Sequence, residues 1–171
     1  MSTALPQAAA RESAYEYVSE WRLLAPLASV WEALTEVEQW PRWWRYVRRV
    51  ETLRKGDADG LGAVRRIAWT SRLPYGFTLE VECDRVQRHR LLSGAARGDL
   101  EGTGVWELAE DPEGGTRVRY TWRLALNSRW MRAVAPLMAP AFRWNHEGVM
   151  RAGAQGLAKH IGAKLIDVRA L

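Results

Sequence analysis

From Tyr15 to Leu126 apolar and polar positions alternate with few interruptions, and only beyond that point does the period change. Tyr15, Tyr17, Ser19, Trp21 and Leu23 share one face, opposed by Glu16, Val18, Glu20 and Arg22, which is the signature of a half-exposed strand. Pro26 suits the first turn of a helix, and Leu27, Val30, Trp31 and Leu34 continue at helical spacing. A second short helix is expected over Val37–Tyr46, where Trp40, Trp43 and Trp44 cluster around Pro41. Three indoles so close together exceed one narrow core stripe, so some are expected at the surface or at a cavity mouth. Strands then follow in hairpin succession. Arg65, Ile67 and Trp69 share a face, as do Phe77, Leu79, Val81 and Cys83 against Glu80, Glu82 and Asp84. Residues 90–100 form a strand of small side chains whose two faces hydropathy does not separate, so Arg97 and Asp99 stay unassigned. Trp106 and Leu108 mark the next strand, and Val118, Tyr120, Trp122, Leu124 and Leu126 the last. Turns rich in Gly, Asp and Pro separate them, among them Pro74-Tyr75-Gly76.

Ser128 to Gly162 carries helical periodicity instead. Phe142, Val149, Gly153 and Leu157 form the apolar stripe, with Met138, Met150 and Ile161 alongside. Asn127 or Ser128 is a suitable N-cap and Gly162 a stop, while Pro136 and Pro140 are expected to kink or split the first third. A second stripe of small residues, Ala141, Asn145, Gly148, Ala152 and Gly156, leaves room for a strand or a ligand to approach closely. The order of elements predicts an α+β domain: a curved antiparallel sheet of about seven strands wrapped around a long C-terminal helix, with two short helices after strand one. Residues 14–166 are read as one domain, residues 1–13 as a flexible lead-in and 167–171 as a short tail. Space between sheet and helix, closed by the short helices, is the expected site.

Composition narrows the function classes. Of 25 basic residues only Lys55, Lys159 and Lys164 are lysine, leaving 22 arginines, and the net charge is +5. Twenty acidic residues are interspersed among them, which predicts a solvated arginine-rich surface and no nucleic-acid partner. Cys83 is the single cysteine, so neither a disulfide framework nor a cysteine-based metal site is expected. The N-terminus lacks the basic start and apolar run of a signal peptide, and no apolar run reaches membrane-span length. A soluble, cytoplasmic protein is therefore expected, with no metal and no cofactor. No phosphate loop, zinc-helix motif or nucleophile elbow occurs. The pattern sets no oligomeric state.

Several segments together carry a family resemblance: the opening strand followed by Ala25-Pro26-Leu27-Ala28-Ser29-Val30-Trp31, the aromatic Trp40-Pro41-Arg42-Trp43-Trp44, residues 98–106, Thr116-Arg117-Val118, and Phe142-Arg143-Trp144-Asn145-His146. In this order the chain resembles the helix-grip domains of the START-like, birch-pollen-allergen-like (SRPBCC) superfamily, and within it the polyketide cyclase/dehydrase and lipid-transport group. That resemblance implies carriers, receptors or aromatase/cyclases, so function has to come from the site.

Trp69, Phe77, Trp106, Tyr120 and Trp122 are expected to line the interior, and Trp40, Trp43 and Trp44 its mouth. Met138, Phe142, Asn145 and His146 would face it from the long helix. Asn145 and His146 either form a satisfied polar pair within the core or touch the ligand. Arg65 either anchors a ligand carboxylate or phosphate, or sits at the rim paired with an acid. Aromatic walls with few polar groups suit a hydrophobic ligand such as a lipid, isoprenoid, quinone or polyketide. An alternative is a cyclase-type enzyme with His146 as acid–base. A third reading is a membrane-surface or partner-binding module, in transient contact through the arginines and the Trp40–Trp44 cluster.

Overall fold

A computed structural model describes residues 15–74, 76–125 and 129–171. The expected lead-in, Tyr75, Leu126 and the N-cap pair Asn127 and Ser128 lie outside the described residues. Eight strands form one antiparallel sheet in the order β2-β3-β4-β5-β6-β7-β1-β8. They are β1 (Tyr15–Leu24), β2 (Val47–Arg54), β3 (Val64–Trp69), β4 (Phe77–Gln87), β5 (Leu91–Gly98), β6 (Glu101–Glu110), β7 (Thr116–Ala125) and β8 (Lys164–Ala170). Between β1 and β2 run α1 (Leu27–Thr35), a 3-10 turn (Val37–Gln39) and α2 (Trp40–Trp43), and α3 (Arg129–His160) follows β7. This is the expected helix-grip arrangement with one strand more. The chain turns at Gly162 (φ 66°) and pairs β8 with β1, Trp21 opposite Val168.

Period-two alternation explains which side chains meet. On β1 and β7, Trp21 lies opposite Val118 and Tyr17 opposite Trp122, all turned to the helix side. The other face collects the charge. Glu51, Arg66, Glu80 and Arg97 stand side by side across β2–β5, and Arg66 Nη2 reaches Glu80 Oε1 at 2.7 Å. Glu107, Arg119, Glu20 and Arg169 form a second row across β6, β7, β1 and β8. Arg97 is exposed in that first row, and Asp99 accepts the Thr78 backbone N–H at 2.8 Å. Such exposed pairs contribute little stability each. They do account for much of the arginine-rich composition.

The core departs from expectation at the tryptophans. Trp40, Trp43 and Trp44 are 6%, 7% and 1% exposed, so none stands at the surface, and of the three Trp40 borders the cavity described below. Trp40 and Trp43 of this four-residue helix and Trp44 just after it are all buried because the segment is packed from more than one side. Trp44 lies 5.2–6.1 Å, centre to centre, from Trp21, Trp40, Trp43, Trp69 and Trp106. Its indole N–H donates to the Val149 carbonyl of α3 at 2.9 Å. The small residues of α3 serve this same contact. A Cβ on Gly156 would stand 1.8 Å from the Trp43 carbonyl oxygen, and one on Gly153 would stand 2.5 Å from the Trp44 indole. Higher up, the Arg72 side chain covers Gly148, and Asn145 Oδ1 accepts the Arg72 N–H at 2.8 Å. The small stripe thus receives protein, and the space expected around Asn145 and Gly148 is filled. Pro136 and Pro140 do not split α3. Both are exposed, where water can substitute for the donors they lack.

Candidate functional site

The sheet encloses a cavity of about 120 Å³ between its inner face and the α1–α2 segment. Its floor is made by small residues on β5 and β6. Gly94 lies opposite Gly104, and Ala96 opposite Gly102. A Cβ on Gly104 would come within 2.7 Å of Tyr120 Oη, and one on Gly94 within 2.8 Å of Val81 Cγ1. Neighbouring side chains therefore lean over these glycines. Around the floor stand Trp69 on β3, Leu79 and Val81 on β4, Trp106 on β6, and Tyr120 and Trp122 on β7. Val37 and Trp40 close the top. Burial pushes the Tyr120 phenol well above its usual range, so it stays protonated.

Polar groups gather at one end, where Thr35, Asp59, Arg65, Cys83 and Ser93 join the lining. Arg65 Nε donates to Glu38 Oε1 at 2.7 Å, and the Thr52 hydroxyl donates to the same oxygen at 2.7 Å. Burial pushes the Glu38 carboxyl up, but the bonds from Arg65 and Thr52 outweigh it and hold it below the ordinary value. Arg65 thus sits at the cavity edge and is paired with an acid. The Ser93 hydroxyl donates to Asp84, and burial raises the Cys83 thiol, keeping it protonated.

Of the residues expected at the site, Trp40, Arg65, Trp69, Trp106, Tyr120 and Trp122 come together on this lining. Phe77 is set back, stacked on Trp69 with ring centres 6.3 Å apart. Trp43 and Trp44 belong to the core, Phe142 is half-buried on α3 away from the lining, and Met138 is 38% exposed. Asn145 is held by Arg72, as described above.

His146 occupies a different place. It stacks against Tyr17 (5.0 Å between ring centres) and faces Tyr120 (6.4 Å), beside a second recess shared with Glu16, Arg143 and Glu147. Its Nε2 and the Tyr17 hydroxyl are buried without hydrogen-bond partners. Burial pulls the imidazole down to a pKa of about 4, so it is neutral at pH 7. Among the described residues no group of three or more His, Cys, Asp or Glu side chains could hold a metal ion. No described helix is long and apolar enough to cross a membrane. Among the lining members that alternation alone misses are Gly94, Ala96 and Gly104. Their signal is the run of small residues in β5, whose inner face only the strand register identifies.

Known structures share this arrangement. The fold is similar to the Zhui aromatase/cyclase from Streptomyces sp. R1128, at 16% identity and a TM-score of 0.69, over 86% of this chain and 93% of that one. It is similar to a START superfamily protein from Mycobacterium smegmatis, at 10% identity and a TM-score of 0.68, over 85% and 97%. A third similar structure is the di-domain aromatase/cyclase BexL from the BE-7585A biosynthetic pathway (18% identity, TM-score 0.66), where 88% of this chain covers 50% of that one. At such identities these likenesses concern the fold. No curated protein sequence matches the chain. Residues 16–162 match the family described as polyketide cyclase/dehydrase and lipid transport. The chain belongs to that family.

Proposed function

We propose that the protein binds a hydrophobic small molecule non-covalently in the cavity between β3–β7 and the α1–α2 segment. A lipid, an isoprenoid, a quinone or a polyketide has the right chemistry. One observation carries this reading: the middle of the sheet presents Gly94, Ala96 and Gly104 inward, where large side chains would otherwise fill the core. Tyr120 and Val81 lean over Gly104 and Gly94, and the space that remains beside them is walled with indoles. A ligand burying roughly 300 Å² of apolar surface gains about 7 kcal/mol at ~25 cal/mol/Å², before association costs. Micromolar binding needs about 8 kcal/mol, so one or two polar contacts at the Arg65 end complete it.

The test is native mass spectrometry of gently purified protein, with Ala96→Phe as the control. Wild type is expected to carry a hydrophobic adduct, and the benzyl group of the variant, filling the floor, is expected to exclude it. Wild type without any adduct, and with no uptake of added quinone or fatty acid, refutes the reading.

A cyclase-type enzyme is the second reading, with His146 as acid–base. What favours it is a neutral buried imidazole, its Nε2 unpartnered, next to the cavity-lining Tyr120. His146 itself is off the lining, which makes binding the stronger reading. Normal ligand uptake with turnover abolished in His146→Ala would favour the enzyme; equal turnover would remove His146 from any mechanism.

A further inference from the structure

The solvent-facing side of α3 changes character along its length. Ala133, Leu137, Pro140 and Trp144 follow one another at spacings of 4, 3 and 4, and all four are exposed. Continuing the same line, the exposed residues are Arg151, Gln155 and Lys159. The second half is an ordinary solvated helix face, whereas the first is apolar. Leu137 is 83% exposed, Trp144 47% and the adjoining Met138 38%. The other exposed large apolar side chains, Leu24, Leu53, Leu61, Ile166 and Leu171, are scattered over β1, β2, the β2–β3 connection and the C-terminal residues. Nothing within the described fold covers the stripe except Arg72, whose guanidinium lies 3.5 Å above the Trp144 ring.

Charge identifies the partner. From Arg129 to His146 α3 has no Asp or Glu and carries three arginines, Arg129, Arg132 and Arg143. Arg143 is exposed beside the stripe, and Arg72 adds a further cation at the Trp144 end. Glu147 is the only acid of α3. An apolar helix face about 17 Å long, from ~1.5 Å per residue, itself without acids and flanked by Arg143 and Arg72, matches an anionic lipid interface. Leu and Met would enter the acyl boundary, Trp would lie at headgroup level and Arg would meet the phosphates.

We propose that the Ala133–Trp144 face of α3 docks the protein on an anionic membrane surface. The buried Trp40–Trp44 cluster takes no part. The proposal does not require the cavity to be occupied, so it stands or falls separately from ligand binding.

The test is cosedimentation of the full chain with phosphatidylcholine vesicles, with and without phosphatidylglycerol, across a salt series. Wild type is expected to pellet with the anionic vesicles and to be released as salt rises. Leu137→Asp combined with Met138→Asp is expected to lower the partition at least tenfold, and Arg143→Gln about fivefold. All three side chains are exposed, and a far-UV circular dichroism melt confirms that the variants fold. Wild type remaining in the supernatant at low salt overturns the proposal, as does a double variant that binds like wild type. So does a concentration-dependent dimer that the double variant abolishes while vesicles recruit nothing, because the stripe would then serve a second copy of the chain.

Discussion

Replacing Trp44 by phenylalanine tests the idea that one side chain ties α2, α3 and the sheet together. Trp44 is 1% exposed, contacts five other indoles and reaches the backbone of α3 through its N–H. Full truncation of a buried Trp to Ala costs about 3–5 kcal/mol. Phenylalanine keeps a six-membered ring, so the loss is smaller. The indole hydrogen bond contributes about 1 kcal/mol. Val149 is inside α3, so its carbonyl keeps a helical partner and is not left bare. Lost edge contacts among aromatic rings remove about 1 kcal/mol more, and the small void adds a fraction. The expected cost is therefore about 2–3 kcal/mol, or roughly 5–10 °C in Tm for a domain of this size. Trp122→Phe, on the half-buried cavity wall, is expected to cost under about 1 kcal/mol. Urea unfolding followed by far-UV circular dichroism measures both. A Trp44→Phe loss below about 0.5 kcal/mol, or a greater loss for Trp122→Phe, refutes the reasoning.

Gly156→Ala is expected to destabilise the protein by about 2 kcal/mol or more, although alanine favours a helix by about 1 kcal/mol. The new Cβ would stand 1.8 Å from the Trp43 carbonyl, which is backbone and cannot swing away. A thermal melt at or above the wild-type temperature would refute it. His146 sets a pH dependence. Its folded pKa of about 4 lies below the unfolded 6.5, so between these values the unfolded chain binds the proton and the folded one does not. Stability is therefore full above pH 6.5 and falls as pH drops towards 4, by an order of about 3 kcal/mol. His146→Phe removes this contribution, so the gap between variant and wild type in urea midpoints should change across that window. A constant gap would show that the imidazole is not protected.

Alternation made most of the sheet legible. Val118, Tyr120, Trp122 and Leu124 contrast so sharply with Arg117, Arg119 and Arg123 that face and strand follow together. β8 gave no such contrast: its seven residues, directly after the helix stop, are mostly half-buried or exposed because an edge strand packs only partly against the core. Trp40, Trp43 and Trp44 misled for a different reason. A stripe rule assumes one buried face, whereas α2 is buried against the sheet on one side and against Gly153 and Gly156 on the other. The small stripe containing Gly156 looked like room for a strand or a ligand because a gap filled by a distant part of the chain reads the same as an empty one. The cavity floor stayed hidden because Ser93, Gly94, Ala95 and Ala96 present the same small, weakly apolar surface on both faces, and only pairing with Gly104 and Gly102 decides which side is inside.

The indole cluster has an optical consequence. Trp21, Trp40, Trp43, Trp44, Trp69 and Trp106 have ring centres as close as 5.2 Å, and most of their contacts are edge-on or tilted. Transition dipoles that near, in a fixed chiral arrangement, share their excitation and give paired ultraviolet bands of opposite sign in circular dichroism. Loosening α2 by an ångström or two would weaken those bands before any strand melts. The protein thus contains a native reporter at the roof of its cavity, and a ligand that presses on Trp40 would announce itself spectroscopically without a label.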